Sequence, residues 1–252
     1  MRVGAFLLVL AAFACAAPSY AQRFDRDTSL FMVPITISYA YQVPGSDMAI
    51  RFGNNSNIGA EAFVKTRSNL IIGASGSFLF SSKVREPGLL RGVTNSYGQI
   101  LDLDGNPATV LLYERGYSVL AEVGKIIRGV GPNPNCGFLL KLGGGYLRHK
   151  IRIETQNNEV PQLEGDYVKG YDRLCAGPAG MFFVGYQHIG DRRYVNFQIG
   201  FETIIGFTRS LRSVNFDTEL ENKAERVDVL TGLRLGWTLP VYRRKATGFF
   251  FY

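Results

Sequence analysis

The stretch VNFQIGFETIIG, residues 195–206, carries the pattern that decides the fold. Large apolar side chains recur at every second position, and between them lie Asn196, Gln198, Gly200, Glu202 and Gly206. A period of two is the side-chain period of a β-strand, whereas an amphipathic helix repeats its apolar residues every three to four positions. The stretch therefore predicts a strand with one apolar face and one face of small or polar residues.

Seven further segments repeat this pattern, at residues 31–43, 57–66, 70–83, 108–127, 137–155, 175–189 and 227–241. Gly, Asn, Pro and Asp separate them, as turns require. Opposite the large apolar face lie mainly Gly, Ser and Ala, which suit a narrow barrel lumen while the apolar face meets lipid. The predicted fold is all-β, an eight-stranded antiparallel up-and-down transmembrane β-barrel. A ten-stranded barrel, with an added strand over residues 98–104, is the alternative.

The connections between these segments alternate strictly in length. The short ones are residues 67–69, 128–136 and 190–193, and the long ones are residues 44–56, 84–107, 156–174 and 209–226. Outer-membrane barrels have short periplasmic turns and longer extracellular loops. The alternation predicts that both termini are periplasmic and that every long loop lies outside the cell.

The two ends of the chain predict its domain organisation. Residues 1–21 combine Arg2, an apolar core and small residues before Gln22, the pattern of a secretory signal peptide. Lipidation of Cys15 is the alternative, although the preceding residues lack the leucine that usually marks such a site. We expect a short periplasmic segment at residues 22–30, the barrel at residues 31–244, and an aromatic C-terminal tail at residues 245–252.

Alternation directs a small set of charged side chains into the predicted lumen: Glu61, Glu122, Lys141, Glu202 and Arg234. Neighbouring strands should bring Glu122 close to Lys141 and Glu202 close to Arg234. Charges inside a barrel must be paired and hydrogen-bonded to offset their desolvation. We therefore expect structural ion pairs; a proton or ion path is the alternative, but eight strands seldom leave a continuous aqueous lumen.

Aromatic residues cluster near the ends of the predicted strands and mostly share the apolar face: Tyr39, Tyr41, Tyr117, Tyr146, Tyr186, Trp237 and Tyr242. Girdles of this kind mark the two membrane interfaces of outer-membrane barrels. Ordinary aromatic packing within strands is the alternative interpretation.

The final predicted strand contains a spacing of polar and apolar residues that resembles the β-signal read by the barrel-assembly machinery. Its positions are Arg234, Gly236, Leu239 and Val241. With the turn at residues 131–135 and the overall layout, the chain resembles small outer-membrane barrels of the OmpA and OmpX kind, and especially exported barrels of Bacteroidota. The resemblance implies a fold and a cell outer membrane location, and it implies no activity.

The predicted function is that of a non-enzymatic barrel. Outer-membrane lipid, lipopolysaccharide and the barrel-assembly machinery are its expected partners, and the outer loops are expected to bind a surface or envelope partner. An accessory subunit of a secretion or transport complex, acting through the tail, is the alternative. The formal net charge of +7 is spread along the chain, which argues against nucleic-acid binding.

Few residues suggest chemistry, and we expect no cofactor, metal or catalytic site. A lipid-modifying or proteolytic barrel would have to rely on loop residues such as His149, Asp166 and Asp172. The two histidines, His149 and His188, are expected at opposite membrane faces, which excludes a shared metal site. Residues 102–106 alternate oxygen ligands as a calcium loop would, but their glycine is misplaced for an EF-hand, and a tight turn is preferred.

The cysteines Cys136 and Cys175 of the mature chain are predicted to lie at opposite ends of one strand length. Twelve residues at about 3.3 Å each far exceed the roughly 7 Å limit on Cα spacing in a disulfide. We therefore expect no bond between them.

Overall fold

Eight antiparallel strands form a closed barrel in the computed structural model, which describes residues 29–156, 159–190, 195–217 and 224–241. The strands are β1 (Val33–Gly45), β2 (Asn55–Lys65), β3 (Leu70–Ser81), β4 (Thr109–Ile127), β5 (Gly137–Gln156), β6 (Cys175–Ile189), β7 (Asn196–Ser210) and β8 (Glu225–Val241). Each strand pairs with the next, and β8 closes on β1 from Val33 opposite Val241 to Gly45 opposite Val229. None of the helices among these residues is long and apolar enough to cross a bilayer.

The strand count and the strand bounds confirm the eight-stranded prediction. The predicted limits of β6 match, and those of the other strands differ by only a few residues. The ten-stranded alternative is wrong, because residues 98–104 form no strand. Their only β-bridge joins Leu101 to Pro107 beside a turn at Gly105, whose φ is 81°.

The two faces of the wall alternate as the sequence predicts. On β7, Phe201 is 62% exposed whereas its neighbour Glu202 is 3% exposed, and on β5, Leu142 and Lys141 are 60% and 1% exposed. Each of the eight strands thus places large apolar residues on the outer wall of the barrel. A wall of this kind presents a continuous oily surface to its surroundings.

The side chains that fill the lumen are not all small, whereas the sequence predicts mainly glycine and serine there. It also holds large apolar side chains, which pack across the barrel: Phe63, Leu79, Leu120, Leu139, Leu147, Met181, Phe183, Ile204 and Leu230. Glycines on the inner wall make room for them. A Cβ on Gly200 would lie 2.6 Å from Cζ of Phe183, and one on Gly185 would lie 2.8 Å from the same atom.

One end of the barrel, here called the turn end, carries the short connections. Residues 29–32 cross this end, where Met32 bridges to Lys65. The Lys65 ammonium donates to Ser29 Oγ, the Leu30 carbonyl and Asn135 Oδ1 at 3.0, 3.1 and 2.9 Å. The start of the described chain and the turn before β5 therefore close this end together.

The opposite end, here called the loop end, is covered by a folded cap. A helix that the sequence did not predict, α1 (Ser46–Arg51), follows β1, and its Met48 and the adjacent Phe52 are fully buried. The β3–β4 and β5–β6 connections contain 3₁₀ turns at Arg91–Val93, Pro161–Leu163 and Tyr167–Gly170. Buried side chains of these two connections, Leu89, Val160, Leu163 and Tyr171, extend the apolar cluster of the lumen into the cap.

Candidate functional site: the lumenal charges and the cap

All five charged residues that alternation directs inward lie in the lumen. None is more than 4% exposed, and they come from five different strands: Glu61 on β2, Glu122 on β4, Lys141 on β5, Glu202 on β7 and Arg234 on β8. They meet at one level of the barrel, because the register places these positions side by side or across the narrow lumen.

Lys141 is the centre of the first part of this network. Its ammonium lies 2.9 Å from Glu61 Oε2 and 3.1 Å from Glu122 Oε2; the second contact is an ion pair without the alignment of a hydrogen bond. The Phe63 and Phe183 rings flank the ammonium, with centroids 4.9 and 4.8 Å away. Cation–π contacts of this kind gain strength where water is excluded.

Arg234 is the centre of the second part. It donates to Glu202 Oε1 at 2.6 Å and to Ser38 Oγ at 2.6 Å, and lies 3.7 Å from Glu61 Oε1. Gln198 donates to Glu61 at 2.9 Å. Glu61 therefore joins the two parts into one network.

The sequence indicated Glu122 beside Lys141 and Glu202 beside Arg234, and the structure brings each of these pairs together. The sequence did not indicate that Glu61 contacts both Lys141 and Arg234. Those contacts cross the lumen between strands that are not neighbours. Two cations and three carboxylates, with their polar and aromatic neighbours, occupy this level of the lumen. The arrangement can hold the wall together and obstruct passage through the barrel.

A second polar cluster lies between this network and the cap. His149 Nε2 lies 2.8 Å from Asp228 Oδ2, and Thr208 also donates to that carboxylate at 2.5 Å. The Phe52 ring packs edge-on against the imidazole at a centroid distance of 5.6 Å. His149 thus lies on β5 near the loop end, the strand and the end that the sequence predicts. Its side chain faces the lumen beneath the cap, so its grouping with loop residues is wrong.

The three side chains named for a barrel enzyme are each engaged elsewhere. His149 binds Asp228, Asp166 forms an exposed pair with Lys169, and Asp172 is buried against Arg212. Within the described ranges, no group of three or more His, Cys, Asp or Glu side chains could hold a metal ion.

Buried ion pairs connect the loops of the cap. Arg51 of α1 lies 3.0 Å from Glu86 of the β3–β4 connection. Glu86 also lies 3.3 Å from Arg173 of the β5–β6 connection, which in turn binds Asp217 beyond β7. Four long connections are therefore linked by a chain of alternating charges.

A further contact joins two of the same connections. Arg212 donates from Nε and Nη2 to the two carboxylate oxygens of Asp172 at 2.8 and 2.5 Å. That hydrogen bonding raises the pKa of Arg212 above its ordinary value. Beside it, Tyr171 packs edge-on against Phe216, and burial raises the pKa of its phenol. The cap is thus held by both charge and apolar contact.

The assembly-signal positions lie along the last strand, as the sequence indicates. Arg234 and Gly236 face the lumen, while Leu239 and Val241 are 41% and 48% exposed on the outer wall. The predicted signal peptide, Cys15, the aromatic tail and Tyr242 lie outside the described residues.

The predicted aromatic positions lie on the outer wall. Tyr39, Tyr41, Tyr117 and Tyr146 are between 39% and 48% exposed, and Trp237 near the turn end is 46% exposed. Tyr186 belongs to the same face of β6, opposite Phe138 of β5.

The cysteines lie buried at opposite ends of the barrel and form no disulfide with each other, as the sequence predicts. Cys136 precedes β5 at the turn end and contacts the Ile189 carbonyl at 3.3 Å, while Cys175 begins β6 at the loop end, opposite His149. His188 lies near the turn end, stacked on Phe197.

The alternating oxygens at residues 102–106 form a turn. Asp102 Oδ1 accepts the backbone N–H groups of Asp104 and Asn106 at 3.0 and 2.7 Å, and Gly105 has a φ of 81°. The prediction of a tight turn is therefore confirmed. Asp102 Oδ1 accepts hydrogen bonds from the backbone of the turn itself.

Comparison with known proteins gives structural likeness only. No protein-family model matches the chain, and no curated protein matches it. Among solved structures, Ail of Yersinia pestis in complex with the heparin analogue sucrose octasulfate is 14% identical, with a TM-score of 0.38, covering 83% of this chain and 99% of that one.

Two barrels of Pseudomonas aeruginosa show a weaker likeness. The N-terminal β-barrel domain of OprF is 9% identical, with a TM-score of 0.36; the match covers 83% of this chain and 100% of that domain. OprG is 8% identical, with a TM-score of 0.33 and coverage of 86% and 99%.

Proposed function

We propose that the chain is a non-enzymatic integral outer-membrane barrel, exported by a signal in residues 1–21 and inserted by the barrel-assembly machinery through the pattern on β8. The observation that carries the proposal is the oily outer wall around an obstructed lumen. Soluble monomers rarely expose apolar patches larger than a few hundred Å². A bilayer offers this wall an apolar environment, and only a closed barrel or helices satisfy every backbone group there.

The proposed orientation places the loop end outside the cell. Val33 and Val241, the first and last residues of the barrel wall, pair at the turn end. Strands enter outer-membrane barrels from the periplasm and leave the longer loops outside. The termini are then periplasmic.

The cap is the proposed contact surface for a surface or envelope partner. It presents large apolar side chains well away from the wall: Ile50, Tyr97, Leu103 and Tyr167 are 73%, 87%, 65% and 65% exposed. Aromatic side chains supply much of the binding energy at protein interfaces. The ion pairs beneath them already order the loops, so a partner would meet little entropic cost.

Site-specific photocrosslinking tests this proposal in native envelopes. A photoreactive residue at Tyr97 or Tyr167 is expected to give a discrete protein adduct, while the same residue at Trp237 on the outer wall is expected to give lipid adducts only. Discrete protein adducts from Trp237 alone would contradict a partner at the cap.

One further variant distinguishes a partner bound at the cap from the alternative, an accessory subunit that docks through its tail. Deletion of residues 245–252 is expected to leave the cap adducts unchanged. Loss of every protein adduct after this deletion would favour a subunit that docks through its tail.

A further inference from the structure

A cluster of cations lies on the outer wall near the loop end, where β4 and β5 extend together. Arg115 of β4 is directly opposite Lys150 of β5. Arg148 is two residues before Lys150 and so shares its face, opposite Tyr117. These three positive charges point outward from one small area of the wall, here called the basic wall patch.

None of the three cations forms a salt bridge with a carboxylate among the described residues, although Arg115 lies near the buried Glu114 carboxylate and over the Tyr113 ring, 4.9 Å from its centroid. Arg115 donates to the Glu114 carbonyl at 2.8 Å, and the Arg148 guanidinium lies 5.9 Å from the centroid of the Tyr117 ring. Neighbouring Arg152, by contrast, is paired with Glu154 at 2.6 Å. Like charges directly opposite each other on a sheet destabilise it. An external anion would offset that repulsion.

The height of the patch on the wall points to the same kind of ligand. On β4, the outward residues between Arg115 and Lys125 are Tyr117, Val119, Ala121 and Val123, none of them charged. Ten residues span about 33 Å along a strand. At a tilt of about 40° this corresponds to a vertical rise of about 25 Å, the height of the apolar band in such barrels. Arg115 therefore lies at the edge of that band, at the depth of lipid headgroups.

We propose that the basic wall patch binds the phosphomonoester groups of the anionic glycolipid in the outer leaflet. The inference rests on the proposed orientation, which places the loop end outside. A guanidinium donates two parallel hydrogen bonds to a phosphate, and an ammonium adds a compact charge. Arg115 and Lys150 would flank one phosphate between the two strands, with Arg148 beside it on the membrane side.

The test compares the folded full-length mature protein with the triple variant Arg115→Gln/Arg148→Gln/Lys150→Gln in detergent. Binding of bisphosphorylated lipid A is measured by titration. Each cation near a membrane surface contributes about fivefold in affinity, so the triple variant is expected to bind on the order of a hundredfold more weakly. Lipid A without its phosphates is expected to bind the natural protein equally weakly.

A matched control removes three cations from the turn end, in the variant Arg67→Gln/Lys125→Gln/Arg128→Gln. All three side chains are exposed, so the control lowers the net charge equally. Its lipid A affinity is expected to stay within about twofold of the natural protein. An equal loss in both variants would overturn the proposal, because bulk charge would then explain binding. Heat-dependent migration on gels checks that each variant is folded.

Three other outcomes would also overturn the proposal. One is unchanged lipid A affinity in the triple variant; another is equal affinity for phosphatidylglycerol, which carries a phosphodiester. The last is full competition by inorganic phosphate, which would indicate a site for free anions. Labelling of a cysteine placed at Tyr97 in intact cells reports orientation separately. Labelling only after cell breakage would refute the proposed function, whatever the lipid affinities are.

Discussion

Replacing Lys141 with methionine tests whether the lumenal charges are shielded from water and whether the carboxylates depend on the ammonium for stability. Methionine has a similar length and would still lie between the Phe63 and Phe183 rings. The substitution therefore removes the charge with little change in packing. It leaves Glu61 and Glu122, which are 2% and 4% exposed, without the ammonium that contacts them.

The expected cost follows from what each carboxylate retains. Glu61 keeps the hydrogen bond from Gln198 and the guanidinium of Arg234 at 3.7 Å. Glu122 keeps one side-chain hydrogen bond among the described residues, the bond that it accepts from Ser75. Breaking a buried ion pair by removing one partner costs about 3–5 kcal/mol. We expect Lys141→Met to lower the free energy of unfolding by that amount, mostly through Glu122.

The assay is reversible urea unfolding in lipid vesicles, followed by tryptophan emission and by gel mobility. Lys125→Met is the matched control, because it removes the same charge from an exposed position on β4 and is expected to change stability by less than about 0.5 kcal/mol. Adding Glu122→Gln to Lys141→Met should recover part of the loss, since it neutralises the stranded carboxylate.

Two results would refute this reasoning. A loss below about 1 kcal/mol for Lys141→Met would mean that water screens the lumenal charges, as it does for exposed pairs. Failure of the double variant to recover stability would mean that the loss comes from packing rather than from an unpaired charge.

Two further predictions concern the wall. In Gly145→Ala, the new Cβ would lie 2.0 Å from the Val119 carbonyl oxygen, so we expect a loss of about 1–3 kcal/mol or failed assembly, whereas Gly144→Ala meets nothing within 4 Å and should be neutral in the same unfolding assay. The lone tryptophan, Trp237, is 46% exposed on the outer face, so brominated lipids should quench its emission strongly and aqueous acrylamide weakly; the reverse would contradict a lipid-facing wall.

The barrel could be predicted from the sequence because strand alternation is a local signal. In β7, every second residue from Phe197 to Phe201 is large and apolar, and that periodicity alone assigns the inner and outer faces. The helix α1 has no comparable signal. Six residues are too few to show a helical period, and isolated helices of that length are unstable. It is fixed by Met48 and Phe52, which pack over the barrel mouth.

The lumenal network could be predicted only as far as strand neighbours reach. Adjacent strands bring Glu122 of β4 close to Lys141 of β5, so a local argument was sufficient for that pair. The contacts of Glu61 with Lys141 and Arg234 depend on closure, because only the radius of an eight-stranded barrel brings β2 within reach of β5 and β8. Sequence alternation gives the face of a residue but not the distance across the lumen.

The cap was hardest to predict, and it separates this barrel from one with loose loops. Leu89, Val160 and Leu163 follow no period, and their burial results from contact between connections that are distant in sequence. Arg173 is buried beside Glu86 and Asp217, an arrangement that costs desolvation unless the loops hold one geometry. A cap that meets this cost before any partner arrives presents a preformed surface, and preformed surfaces bind with less ordering penalty than flexible ones. The order of the loops, more than their length, therefore favours recognition at the loop end.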